Sequence, residues 1–127
     1  MKEQKFYICE HCGNIVAKVH DAGVPVFCCG EQMKELVPGA VEASVEKHVP
    51  AVSVEEGVVK VEVGSVIHPM VEEHYIPWVY LQTSVGGQRK NLAPGAEPVV
   101  SFALAEGEKP VAVYAYCNIH GLWKAEI

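Results

Sequence analysis

From residue 50 onward, apolar and polar positions alternate with a period of two. Val52 and Val54 are separated by polar neighbours, Glu56-Gly57 interrupts the pattern, and Val59, Val61 and Val63 resume it. That alternation is the mark of half-buried strands, because successive side chains of an extended chain point to opposite faces. Further strands are predicted over 75–84, 88–92, 99–105, 111–117 and 122–127, with turns at Gly86-Gly87, Pro94-Gly95, Glu106-Gly107 and Gly121. Pro77 has no N–H for a sheet ladder, so its strand is expected either at an edge or irregular at its start. A single helical turn is expected near Met70 to His74, and no internal repeat is present. About seven short strands at this spacing predict an antiparallel sandwich or barrel, immunoglobulin-like in architecture.

The pattern before residue 50 is different. Short strands are predicted over 5–8, 15–19 and 24–27, broken by Gly13, the Asp21-Ala22-Gly23 turn and Gly30. A unit of 36 residues rarely buries enough apolar surface to fold unaided and calls for a metal or disulfide staple. The domain boundaries expected are therefore 1–36 for this stapled unit, 37–44 for a linker carrying Pro38-Gly39, and 45–127 for the β-sandwich. The class is all-β throughout.

Composition narrows the functions available. Half of the 127 residues are apolar and no low-complexity tract occurs, as expected of a globular chain. No apolar run approaches a membrane span. The opening MKEQKFYICEHC has neither an apolar signal core nor a cleavage site, which argues against secretion and predicts reduced thiols. A net charge of −6 disfavours a nucleic-acid partner.

Cysteine and histidine then carry the chemistry. Five Cys cannot all pair within one chain, and four of them lie in the first 29 residues. Cys9-Glu10-His11-Cys12 followed by Cys28-Cys29 offers four thiolates for one tetrahedral ion. Adjacent cysteines point in divergent directions, so this pair is expected to distort the shell and strain the backbone. That favours a rubredoxin-like iron centre over a zinc ribbon. His11 and His20 are read as solvent-facing loop residues.

The remaining set is His48, His68, His74, Cys117 and His120. If the strands alternate in direction, all five fall on one rim of the sandwich. Four imidazoles and a thiolate exceed a closed tetrahedral zinc site and suit iron with one open position. Lys47, beside His48, is expected to give a local positive charge for a small anion, and Glu46 a carboxylate that ligates in the absence of substrate.

Taken together, Cys9-x-x-Cys12, Cys28-Cys29, Glu46-Lys47-His48-Val49-Pro50, His68-Pro69-Met70, His74-Tyr75 and Cys117-Asn118-Ile119-His120-Gly121 resemble the desulfoferrodoxins, the two-iron class of superoxide reductases. The resemblance covers nearly the whole chain, in order. It implies a desulforedoxin-like domain with one iron on Cys9, Cys12, Cys28 and Cys29. It also implies a neelaredoxin-like sandwich with a second iron, held by four equatorial imidazoles (His48, His68, His74 and His120) and an axial thiolate, Cys117. The reaction implied is one-electron reduction of superoxide to hydrogen peroxide, with Lys47 and Glu46 on the family's mobile loop. A rubredoxin donor, a homodimer and a cytoplasmic location are implied as well. Three competing functions are a two-centre electron-transfer protein without a substrate, a structural zinc module, and a superoxide dismutase.

Overall fold

The computed structural model describes residues 3–127, so Met1 and Lys2 of the predicted first unit lie outside it. The chain divides into two compact units after Val37.

In the first unit, β1 (Phe6–Ile8) is flanked by β2 (Ile15–Ala17) and β5 (Lys34–Glu35), all antiparallel. A two-residue hairpin joins β3 (Phe27–Cys28) to β4 (Glu31–Gln32). The strand expected over 24–27 is thus found later and shorter. Among the described residues of this unit, only Phe6, Cys9 and Met33 are buried. So small a core leaves the fold dependent on whatever its cysteines hold.

The second unit opens with a four-residue helix, α1 (Val45–His48), that the sequence pattern did not announce. Four residues cannot sustain a helix alone. Loop residues 65 and 66 hold this one in place: Val66 N–H and Ser65 Oγ–H both donate to the Glu46 carbonyl, at 2.9 and 3.2 Å. Seven strands follow: β6 (Pro50–Glu55), β7 (Val58–Val63), β8 (Trp78–Thr83), β9 (Gly87–Asn91), β10 (Val99–Ala103), β11 (Pro110–Cys117) and β12 (Gly121–Glu126). They form two antiparallel sheets, ordered β10-β7-β6 and β12-β11-β8-β9. Pro77 stands just before β8, which is an interior strand, so the second of the two expectations for it holds. No helical turn is assigned at Met70 to His74; Val71 and His74 instead form an isolated antiparallel bridge.

The alternation reads directly onto the core. Val59, Val61 and Val63 of β7, with Val100 and Phe102 of the neighbouring β10, cluster with Val79 and Leu81 of β8 and Val113, Ala115 and Cys117 of β11 in the other sheet. Cys117 is the last inward position of its strand, so the period that packs the core also delivers its sulfur to one end of the sandwich. Within residues 37–44, Gly39 donates its N–H to Leu122 O at 2.8 Å. Among the described residues no helix is long and apolar enough to cross a membrane.

Candidate metal centres

The four early cysteines converge. Their sulfurs all lie within 4.8 Å of one another, with Cys12 to Cys28 at 3.6 Å and Cys28 to Cys29 at 4.0 Å. A tetrahedral ion with metal–sulfur bonds of about 2.3 Å holds its sulfurs about 3.8 Å apart, so the cage has the right size. The expected backbone cost of adjacent ligands is visible: Cys29 adopts φ = 53°, a left-handed conformation rare for a side-chain-bearing residue. Crowding by the sulfurs of Cys9, Cys12 and Cys28 pushes the Cys29 thiol up to about 12. The backbone N–H of Cys12, aided by that of His11, lowers Cys9 to about 6 against the opposing effect of burial. Four thiolates so close together need a cation among them. His11 stays outside the cage and pairs with Glu31 at 3.0 Å on the surface.

The second group gathers at one end of the sandwich. His48, His74, Cys117 and His120 bring one ligand atom each to within 4.8 Å of all the others. His68 completes a ring of imidazoles, its Nε2 3.2 Å from His48 Nε2. His48 Nε2 is also 3.1 Å from His120 Nδ1. Around the ring, neighbouring imidazoles (48 with 68, 68 with 74, 74 with 120, 120 with 48) stand edge to face at 78°, 82°, 75° and 90°. His48 and His74 oppose each other at 6.3 Å and 28°. Nitrogens about 2.1 Å from an ion lie about 3.0 Å apart at right angles and about 3.4 Å apart in a tetrahedron. The observed 3.1 and 3.2 Å lie between the two values; the cyclic order of the rings, with His48 opposite His74, is what matches a square of nitrogens. Cys117 Sγ is 3.8 Å from His120 Nδ1 and accepts the His120 backbone N–H at 3.4 Å.

Ring orientation has identifiable causes. His48 Nδ1–H donates to Ser44 O and His68 Nδ1–H to Pro69 O, both at 2.7 Å, which turns each Nε2 inward. Burial lowers the pKa of His48 and His74, and that of His68 to about 4; neighbouring imidazoles push the same way, as Lys47 does for His48 and His74. Neutral imidazoles are the metal-binding form. The decisive test of fit is His74 Nε2, which is buried with no hydrogen-bond partner. An orphaned buried nitrogen is costly unless something satisfies it, and an ion inside this ring of borderline and soft donors does so. Glu46 and Lys47 are exposed on α1, next to His48.

Three supporting residues carry signals weaker than the ligand motifs, and the sequence alone does not single them out. Gly64 lies so close to α1 that a Cβ there would meet Glu46 O at 2.6 Å and Val49 O at 2.9 Å. Trp123 packs on His48 with ring centroids 5.0 Å apart and donates Nε1–H to His120 O at 3.1 Å. Asn118 is bonded to the segment carrying His74. Only a three-dimensional neighbour distinguishes these from an ordinary strand-end glycine, core tryptophan and loop asparagine.

Comparison with known proteins agrees with this geometry. The desulfoferrodoxin family model matches residues 40–126, and the desulfoferrodoxin N-terminal domain model matches residues 1–36. The desulfoferrodoxin of Nitratidesulfovibrio vulgaris is 44% identical over 124 residues, covering 98% of this chain and 97% of its own length. That of Syntrophotalea carbinolica is 43% identical over 120 residues, covering 94% of each. Among solved structures, the superoxide reductase from Treponema pallidum superposes with a TM-score of 0.83 at 39% identity, covering 98% of this chain and all of that one. The chain belongs to the desulfoferrodoxin family.

Proposed function

We propose that this protein is a superoxide reductase, catalysing the reaction of superoxide, one electron and two protons to give hydrogen peroxide. The observation that carries the reading is the square of four imidazoles with a thiolate beside it, a donor set of five that leaves one coordination face to a small ligand. His48, His68, His74 and His120, together with the Cys117 thiolate, would hold an iron ion at this site. Iron held there would supply one-electron chemistry, and the Cys117 thiolate would favour electron donation by pushing electron density onto the metal. The surrounding side chains do the rest. Lys47 draws the anion toward the open face of an acidic protein and orients it. Glu46 covers that face when no substrate is present.

Cys9, Cys12, Cys28 and Cys29 hold a second iron. Residues 1–36 serve as its domain, 37–44 as the connection and 45–127 as the reductase domain. A rubredoxin-type protein is the electron donor, and the working form is a cytoplasmic homodimer; the family resemblance supports these assignments.

The test is to add superoxide to the iron-loaded, reduced chain and measure peroxide and dioxygen together. One peroxide per electron consumed, with no dioxygen released, is expected. Dioxygen evolution would make the protein a dismutase, and inertness toward superoxide with intact iron would leave an electron carrier. Cys117→Ser should abolish the thiolate-to-iron absorption of this site and lower its rate with superoxide by at least about tenfold; an unaltered spectrum refutes Cys117 as a ligand.

A further inference from the structure

Among the four imidazoles, two are tethered through the outer ring nitrogen, and His74 and His120 are held through their backbones instead. His48 and His68 each fix their orientation by donating the outer ring nitrogen to a carbonyl. His120 is held by its own N–H on Cys117 Sγ and by Trp123 on its carbonyl. The ring of His74 has no hydrogen bond to any described residue. Ligating histidines ordinarily donate that second N–H to a partner that fixes the ring, so His74 depends on its backbone for orientation.

That backbone is held from one side by Asn118. Its Oδ1 accepts the Tyr75 N–H at 2.9 Å, its Nδ2–H donates to Glu73 O at 3.1 Å, and its own N–H donates to Tyr75 O at 3.2 Å. The two side-chain bonds land on the residues immediately before and after His74. The amide thus reads the backbone as a neighbouring strand would, although no strand is assigned there. Asn118 also directly follows Cys117, so one residue joins the thiolate's turn to the distant segment bearing His74. The Val71–His74 bridge closes the other side of the same segment, with bonds of 3.1 and 3.0 Å.

We infer that Asn118 is a positioning residue that stands in for the missing imidazole tether, setting where His74 Nε2 meets the metal relative to Cys117. The inference rests on the reading of His74 as an iron ligand. Asn118 touches neither substrate nor metal, and acts through the segment it grips. A residue of this kind typically alters metal affinity by about 10–100-fold.

Two measurements on the full chain test it. In the iron-loaded protein, loss of the thiolate-to-iron absorption to a chelator should be about tenfold faster for Asn118→Ala than for wild type. Asn118→Asp keeps the acceptor for Tyr75 N–H but loses the donor to Glu73 O, and should fall between the two. In the zinc-loaded protein, nitrogen NMR should show the His74 ring broadened or shifted away from its bound position in both variants, while His48 and His68 keep theirs. A general loosening would move all the imidazoles together and would overturn the inference, as would wild-type release rates and unmoved His74 signals. If Asn118→Ala does not fold, Asn118→Asp decides by the same two readouts. A wild-type chain that takes up no iron at these residues would sink both this inference and the reading beneath it. Normal wild-type loading with indifferent variants would sink this inference alone.

Discussion

Lys47 carries a positive charge beside His48 in a chain whose net charge is −6. The field of the whole molecule repels an anion, so a local cation has a large effect on encounter. Lys47→Ala is expected to slow the second-order reaction with superoxide by about tenfold and to flatten its dependence on ionic strength. Stopped-flow or pulse-radiolysis rates at two salt concentrations check this. Equal rates with an equal salt slope would show that the guiding charge lies elsewhere. At this scale the convergence of Cys9 with Cys12 and of Cys117 with His120 is legible in the sequence, because Cys-x-x-Cys and Cys-x-x-His spacings are local chemistry. Gly64, Trp123 and Asn118 are not, because each acts through a partner distant in the chain.

At the scale of elements, the period-two alternation locates the strands of the sandwich, and their ends are less legible. β8 starts after Pro77 because proline cannot donate to the ladder, and α1 exists only because the segment at 64–66 grips it. Gly64 lets that segment approach, since any side chain there would strike the backbone of α1. Gly64→Ala should therefore destabilise the second unit by about 1–3 kcal/mol, the usual cost of overpacking, and displace His48. A lowered melting temperature together with weakened metal retention at the histidine site is expected, and an unchanged melting curve would contradict the close approach.

The turn between β10 and β11 supplies a separate expectation. Glu108 accepts Thr83 Oγ1–H at 2.6 Å and Ala105 N–H at 3.1 Å, and the Thr83 bond above all lowers its pKa. A carboxyl depressed in the folded state stabilises it above the ordinary carboxylate range, and that contribution is lost as pH falls through the folded value. Wild type should therefore lose more thermal stability than Glu108→Gln between about pH 5 and pH 3. Parallel melting curves for the two chains over that interval would show that these bonds contribute nothing.

For the whole molecule, the division after Val37 separates the four-cysteine cage from the histidine ring. Each set of ligands comes from one unit. Cys12→Ser is accordingly expected to remove the first iron and unfold the small unit. The second iron should keep its spectrum, and its rate with superoxide should stay within about twofold of wild type when a chemical reductant is supplied. Metal analysis and rates on the variant decide it, and a collapse of both sites would mean that the units fold as one. The two-unit plan is legible because 36 residues with four thiols cannot make an apolar core. The register of the sheets is not, since strand ends are set by partners across the ladder.

The histidine ring also bears on how the sandwich stays closed. His48 and His120 are 72 positions apart, and His68, His74 and Cys117 fall between them. An ion that takes donors from all of these cross-links distant parts of the polypeptide at a single point, shortening the loops available to the unfolded chain much as a bundle of disulfides would. The same bonds that tune electron donation thus act as a mechanical clasp on the β-sandwich, and a protein stripped of its ion would begin to come apart at the end where it works.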